Sequence, residues 1–375
     1  MNEPAEPNPR RELDPNLLRM FSFLVFTKLE GAVTSGMIHL GDRLGLYRAL
    51  AESGPLTIEG LARTTSMHPR WIQEWAHNQI AARLISYRNL GENGSDGGDL
   101  IEMWLEPEAI AVLADENSPA FGMGMFHRLP QTMDSLDRLP DSFRTGLGHD
   151  YDSHGPEGAV GIERSFEPWS RAFLLPLVLP ALDGVVDRLE NGARVADIGC
   201  GAGGAAIQMA ERFPRSSFVG YDISRHALAR AAEKLSSSSA ANVSFVDPRR
   251  DPLPDDGSLD LVTAFDCVHD MTHPADVMRA IRRALRPDGT WLLVDIKALD
   301  TFEENMNKNP MASLMYGISV MSCMSSALSS PGGAGLGTLG LPESKARAMA
   351  LEAGFTRFRR LDIEHSVNSF YEVRP

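Results

Sequence analysis

Val195-Ala196-Asp197-Ile198-Gly199-Cys200-Gly201-Ala202-Gly203-Gly204 decides how this chain is read. A short apolar run meets a cluster of glycines and then Ala205-Ala206-Ile207-Gln208-Met209-Ala210, whose apolar residues have helical spacing. The pattern is strand, tight turn, helix. Glycines in such a turn let backbone N–H groups approach a ligand with no Cβ in the way. The start of the following helix adds the positive end of a dipole.

Two classes of nucleotide cofactor use a turn of this kind. The spacing of Gly199, Gly201 and Gly204 satisfies the dinucleotide pattern G-x-G-x-x-G, which by itself discriminates little. Asp197 separates the readings. A carboxylate at the strand end would repel a pyrophosphate, but it suits a ligand that carries an α-ammonium and a sulfonium, as S-adenosylmethionine does. Ser217 to Tyr221 form a second apolar run that ends in Asp222, about the 20 residues on at which a ribose-binding carboxylate is expected. Val243 to Val246 form a third run, ending in Asp247, which is placed to reach an adenine amino group. One such acid reads equally well as a turn or cap residue. Three of them, closing successive strands after a glycine turn, are hard to assign to capping.

Residues 193 to 297 resemble a class I S-adenosylmethionine-dependent methyltransferase, with Asp197 to Gly203 as the cofactor loop and Asp222 as the ribose acid. The resemblance continues through Pro252-Leu253-Pro254-Asp255-Asp256-Gly257-Ser258-Leu259-Asp260-Leu261-Val262 and Leu285-Arg286-Pro287-Asp288-Gly289-Thr290. The whole chain is similar to actinobacterial small-molecule methyltransferases with an N-terminal winged-helix domain. What this implies is an α/β fold: a Rossmann-like seven-stranded class I methyltransferase sheet behind a mostly helical winged-helix domain. The expected cofactor contacts are Asp197, Gly199, Cys200, Gly201 and Gly203, then Asp222 with Ile223, Asp247 with Pro248, and Phe265 with Asp266.

Leu259 to Phe265 reads as a buried strand whose exit is Asp266-Cys267-Val268-His269-Asp270-Met271. In an open parallel sheet, ligands lie beyond the carboxyl ends of the strands, so these side chains should face the reacting end of the cofactor. His269 is the candidate general base for a hydroxyl acceptor, and Val268-His269-Asp270 resembles the catalytic histidine segment of hydroxyl-directed methyltransferases. Packing or capping is the competing role for His269. Asp270 would orient its ring or merely open the following loop. Methyl transfer by in-line displacement requires neither a metal nor a covalent residue.

Composition narrows the remaining options. The chain has 375 residues, 43% of them hydrophobic, which suits two ordinary domains. Its formal charge of −14 argues against a nucleic-acid or anionic-membrane surface. Three cysteines, Cys200, Cys267 and Cys323, make neither a disulfide framework nor a metal-binding pair, as expected in a reducing cytoplasm.

The expected organisation is a disordered lead-in (1–15), a winged-helix domain (16–115), a helical linker (116–160) and the S-adenosylmethionine-binding domain (161–375). Within the second segment, Leu17 to Leu50 reads as one or two helices. A helix capped by Thr57 follows, then a helix from Pro69 carrying Trp71, Ile72, Trp75 and Ile80 on one side. Two short strands flank a Gly-rich tip from Gly91 to Asp99. Between Gly41 and Leu113 there are six arginines and no lysine against ten acidic residues, so the phosphate-binding stripe of a DNA reader is missing. A homodimerisation and substrate-covering role is expected instead. A ligand-sensing transcriptional regulator is the alternative.

Tyr151 and His154 are expected in a solvent-exposed connection, and Phe166 to Leu189 in a long helix that Pro176 and Pro180 kink or split. The Met-rich insert Asp300 to Leu328 is expected either to close over the acceptor as an apolar lid or to pack as plain helix. The Gly-rich stretch Pro331 to Gly337 is expected to act as its flexible hinge.

Overall fold

The computed structural model describes residues 12–92 and 99–375, and it divides into two compact units, one ending at Ile110 and the other running from Ala111 to Pro375. The lead-in before Glu12 and most of the Gly-rich tip fall outside the described residues.

The first unit opens with helix α1 (Pro15–Arg43), capped by Asp14, whose carboxylate accepts from Asn16 N at 2.8 Å. Next come α2 (Leu46–Ser53), the short β1 (Leu56–Thr57), α3 (Ile58–Thr65), α4 (Pro69–Ala81), β2 (Ser86–Glu92) and β3 (Asp99–Trp104). The Thr57 hydroxyl accepts from Gly60 N at 3.1 Å and so caps α3, as its sequence suggests. The strands form one antiparallel sheet in the order β1-β3-β2. Tyr47 and Trp75 meet edge to face at 5.4 Å beneath Gly41, where a Cβ would lie 2.7 Å from both rings. Trp71, expected on the same buried side of α4, is 79% exposed. With 3.6 residues per turn, Ile72, Trp75 and Ala76 define the inner stripe and Trp71 falls outside it.

Helix α5 (Pro107–Leu113) spans the boundary between the units, and α6 (Gly124–His127), α7 (Leu129–Asp134) and α8 (Leu139–Thr145) follow it. A 3₁₀ turn, Tyr151–His154, then leads into α9 (Gly155–Phe173). The helix expected from Phe166 to Leu189 is split in two around Pro176 and Pro180, and its start is earlier than expected. α9 starts eleven residues early and carries Pro168 inside it, passes through π and 3₁₀ turns at Leu174–Val178 and Leu179–Ala181, and stops before α10 (Val185–Asn191). Pro176 and Pro180 each lack a backbone donor, and Gly184 at φ 69° resets the chain direction.

The remaining elements are β4 (Arg194–Ile198), α11 (Gly204–Arg212), β5 (Ser217–Tyr221), α12 (Arg225–Ser236), β6 (Val243–Val246), β7 (Leu259–Phe265), α13 (Pro274–Ala284), β8 (Leu285–Ile296), α14 (Phe302–Lys308), α15 (Ala312–Ile318), α16 (Met324–Ala327), α17 (Glu343–Glu352), β9 (Arg357–Arg360) and β10 (Asn368–Arg374). The seven strands β4 to β10 form one sheet in the order β6-β5-β4-β7-β8-β10-β9. Strands β4 to β8 pair in parallel, whereas β10 runs antiparallel to both β8 and β9. Chain order reverses between β4 and β7, and a crevice for a ligand opens at that switch point. Separate apolar clusters cover the two faces of the sheet. One is built on Val262, Trp291 and Ile281, the other on Leu179, Leu189, Met209 and Leu292. Among the described residues, no helix is long and apolar enough to cross a membrane.

Candidate active site at the carboxyl ends of the sheet

β4 delivers the chain into Gly199, Gly201 and Gly203, which adopt φ of 64°, 56° and 75°. Side chains rarely tolerate this conformation, and at Gly203 a Cβ would also lie 2.3 Å from the Phe245 ring. At Gly201 a Cβ would meet nothing within 4 Å, so this side of the loop is open. Cys200 N donates to Tyr221 O at 3.1 Å and fastens the loop to β5.

Asp222 stands at the end of β5. Its Oδ2 accepts from Gly201 N and its Oδ1 from Ser224 N, both at 2.8 Å, so one carboxylate braces the glycine loop and the start of α12. Each oxygen keeps a further lone pair for a ligand hydroxyl. Asp197 is 2% exposed. Its Oδ1 accepts from Thr263 Oγ1 at 2.6 Å, and its Oδ2 is buried with no partner. Burial pushes this carboxyl up to about 7 against the Thr263 hydrogen bond, with Asp222 adding to the rise. Burial raises Asp222 as well. Cys200 and Cys267 are also driven up by burial, and Cys267 donates its thiol to Ile198 O at 3.2 Å.

The chain leaves β7 through Asp266, a non-glycine residue held at φ 49°, whose side chain accepts from Asn368 Nδ2. Burial pushes Asp266 up to about 7. Phe265 packs on Phe166 at 5.2 Å. His269 follows, 3% exposed, with its Nδ1 2.6 Å from Asp295 Oδ1. Burial acts to lower this imidazole, but the adjacent Asp295 carboxylate outweighs it, and the balance raises His269 well above its usual value. Cys323 lies against the same ring and adds to the rise. Asp295 itself is 1% exposed, with Oδ2 unpartnered.

The expectation that Asp270 orients the ring is corrected: Asp295 on β8 occupies that position at Nδ1. β7 and β8 are hydrogen-bonded neighbours, so the end of β8 lies beside the exit of β7. Asp270 is half-buried, and its surroundings push it up to about 7. Asp247 also departs from expectation. Its carboxylate is taken by Arg249 at 2.8–3.1 Å, and Arg249 donates further to Ile223 O at 2.7 Å. Ile223 is 49% exposed beside this pair, and Pro248 lies in the turn between Asp247 and Arg249.

Tyr151 and His154 do not sit in an exposed connection. His154 is 8% exposed, the two rings meet edge to face at 5.9 Å, and Asp152 of the same turn accepts from Arg225 N at 3.3 Å. Burial and the charges of Asp270 and Asp222 raise Tyr151, which places its hydroxyl among the strand-end acids. The insert between β8 and α17 is turned opposite to an apolar lid. Ser319, Ser322, Ser325 and Ser326 are buried at helical spacing, while Met306, Met311 and Leu314 are 41–53% exposed. Ser325 accepts from His149 N at 2.9 Å, and Ser319 from Thr338 N at 3.1 Å. The backbone N–H groups of Ala334 and Gly337 donate to Thr272 O and His269 O at 2.9 and 3.2 Å. The glycine stretch is thereby fastened to the histidine segment, contrary to its reading as a free hinge.

Two residues of this site had no signal in the sequence. Asp295 sits in an apolar strand with nothing to tie it to His269, and Arg128 lies in a Met-rich helical stretch over 140 residues upstream of His269.

The buried or half-buried acids Asp197, Asp222, Asp247, Asp266, Asp270 and Asp295, a glycine loop open at Gly201 and an unpaired Asp197 oxygen fit a nucleoside ligand that carries positive charge. Residues 189–339 match the family described as methyltransferase domain. Residues 189–339 thus carry a match to a methyltransferase domain, and they lie on the seven-stranded, Rossmann-like sheet.

The same fold recurs over the full length of solved structures. Human N-acetylserotonin methyltransferase, solved with S-adenosylmethionine, aligns over 98% of this chain and 99% of its own at 16% identity and a TM-score of 0.66. Mitomycin 7-O-methyltransferase aligns over 96% and 99% at 19% identity, also with a TM-score of 0.66. In sequence, the ubiquinone biosynthesis O-methyltransferase of Neisseria meningitidis serogroup C is 31% identical over 142 residues, which is 37% of this chain and 54% of that enzyme. The polyketide synthase ThaQ of Burkholderia thailandensis is 33% identical over 115 residues, or 30% of this chain. The chain thus spans about half the length of the first relative and 5% of the second.

Proposed function

We propose that this protein is an S-adenosylmethionine-dependent methyltransferase acting on a hydroxyl of a small-molecule acceptor, with His269 as general base. The observation that carries this reading is the pair of His269 Nδ1 and Asp295 Oδ1, 2.6 Å apart and buried at the strand ends beside the glycine loop.

Gly199, Cys200, Gly201 and Gly203 would hold the cofactor's methionine portion, with Asp197 beneath them. Asp222 would take the ribose. Ile223, Asp247, Pro248, Phe265 and Asp266 would flank the base, Asp247 only after releasing Arg249. Bound there, the cofactor supplies a methyl group already activated by a sulfonium. What is left to the protein is positioning and the fate of one proton. His269 in its neutral form keeps its Nδ1 proton on Asp295 and takes the acceptor's hydroxyl proton at Nε2. Asp295 fixes the tautomer and offsets the imidazolium that results.

The organisation of the chain belongs to the same reading. The first unit, with its helices and hairpin, is a winged-helix domain used for pairing and substrate covering. Helix α1 carries Phe21, Phe23 and Phe26 at 57–72% exposure together with Leu29, an apolar surface of the kind a second copy of the chain would cover. The partners proposed are thus a small acceptor and a second protomer, in the cytoplasm.

The test is calorimetry with S-adenosylmethionine and S-adenosylhomocysteine, followed by turnover of His269→Ala on an accepted substrate. Micromolar binding by wild type, with turnover lost and binding kept in the variant, is the expected outcome. No binding by wild type would refute the reading, and unchanged turnover would remove His269 as the base.

A further inference from the structure

Arg128 is the one arginine of the site that no strand-end acid pairs with. It is 3% exposed, yet among the described residues no carboxylate lies within ion-pair distance of it. Its Nη2 donates to Ser322 Oγ at 3.0 Å, its Nε is buried with no acceptor, and its backbone stands on α9 at Gly161, where a Cβ would lie 2.7 Å from the Arg128 Cβ. A guanidinium cannot discard its proton to escape burial, and a serine hydroxyl does not neutralise it. Burying such a charge without a counter-ion is costly, and the free energy is recovered only when an anion arrives.

The groups that touch Arg128 do not neutralise it. Ser322 Oγ also lies 3.1 Å from His154 Nε2, and burial with the nearby Arg128 charge drives His154 down to about 4, so His154 stays neutral beside it. The field of Arg128 also reaches Tyr151 and Asp270, the latter next to His269 in the chain. Ser322 belongs to the buried serines of the insert, of which Ser326 Oγ has no partner. A wall of serines and an unneutralised guanidinium is poorly suited to a purely apolar acceptor.

We infer that the acceptor is a hydroxylated organic acid, whose carboxylate pairs with Arg128 while its hydroxyl is presented to His269. The inference rests on the methyltransferase reading above and names the substrate class of that same site. Arg128 is then the residue that sets specificity: two parallel N–H donors fix both the position and the direction of a carboxylate.

The experiment titrates benzoate, and separately benzamide, into the complex of the full chain with S-adenosylhomocysteine. Benzoate is expected to bind and benzamide to bind at least about tenfold more weakly, since the amide offers no charge to the guanidinium. Arg128→Met should lower benzoate affinity by about tenfold or more, and Arg128→Lys, which keeps the charge but not the two-pronged geometry, by severalfold. Equal binding of benzoate and benzamide, absence of benzoate binding, or wild-type benzoate affinity in either variant would overturn the inference. S-Adenosylhomocysteine binding on the same samples separates the failures. Its absence in wild type sinks the methyltransferase reading, whereas its presence without a benzoate response sinks only the role of Arg128. Should Arg128→Met fail to fold, Arg128→Lys decides.

Discussion

Replacing Asp295 by asparagine probes the central geometry most directly. In the wild type, the carboxylate 2.6 Å from His269 Nδ1 holds the imidazole above its ordinary value although burial pulls the other way. The base form is then populated only as pH rises through that elevated value, so turnover should climb with pH across and above neutrality. In Asp295→Asn the charge is gone and burial remains, so the histidine loses its proton at lower pH and the acid limb of the profile moves down by more than one pH unit. The plateau should fall as well, because a weaker base in an unfixed tautomer forfeits much of a contribution of about 10²–10⁴-fold. The stability effect has the opposite pH sense. A histidine raised in the folded state contributes stability that is full below about 6.5 and lost as pH passes its folded value. The variant should therefore be destabilised most at low pH, by roughly 3–5 kcal/mol, and less at high pH. Initial rates from pH 6 to 10 and urea melts at the two extremes measure both. An acid limb that stays in place, or moves to higher pH, would refute the pairing as the source of the base.

Further outcomes follow from individual contacts. Asp222→Ala removes the acceptor of both Gly201 N and Ser224 N and should weaken S-adenosylhomocysteine binding at least about tenfold by calorimetry. Gly203→Ala places a methyl group against the Phe245 ring at positive φ and should cost about 1–3 kcal/mol in urea, whereas Gly201→Ala, facing open space, should cost only the ~1–2 kcal/mol of its backbone conformation. Asp197 is raised by burial from its ordinary value to about 7, so its contribution to stability is full below about 4 and lost as pH rises through 7. Asp197→Asn should accordingly stabilise the ligand-free protein at pH 8 while weakening cofactor binding, as denaturant melts with and without cofactor would register. Phe23→Asp with Phe26→Asp on α1 should convert a dimer to a monomer in analytical ultracentrifugation, and unchanged sedimentation would exclude that helix as the interface.

Much of the fold was legible because its determinants are local. The apolar run before Gly199, the acids closing β5 and β6, and the cap at Thr57 each act over a few residues, and periodicity reports them directly. The helix that contains Pro168 starts eleven residues before its expected beginning, and packing holds that added part. Here buried Glu163 joins Arg230 and Lys234 of α12 at 2.7 and 2.6 Å. In the insert, methionine suggests an inward face, and the positions of Arg128, His149 and Thr338 make serine the better inward residue.

The sequence alone determined that a glycine bend with an aspartate at its mouth would sit at the end of a strand, and that His269 would leave the neighbouring strand on the same edge. Both depend on near neighbours along the chain. Tertiary structure decided which acid serves that histidine and which cation is left without one. Asp295 reaches it through strand pairing, and Arg128 is isolated by burial against α9 and the serine wall. Such contacts join residues 26 and 194 positions apart, and spacing along a chain carries no record of a partner that only the sheet and the helices bring near.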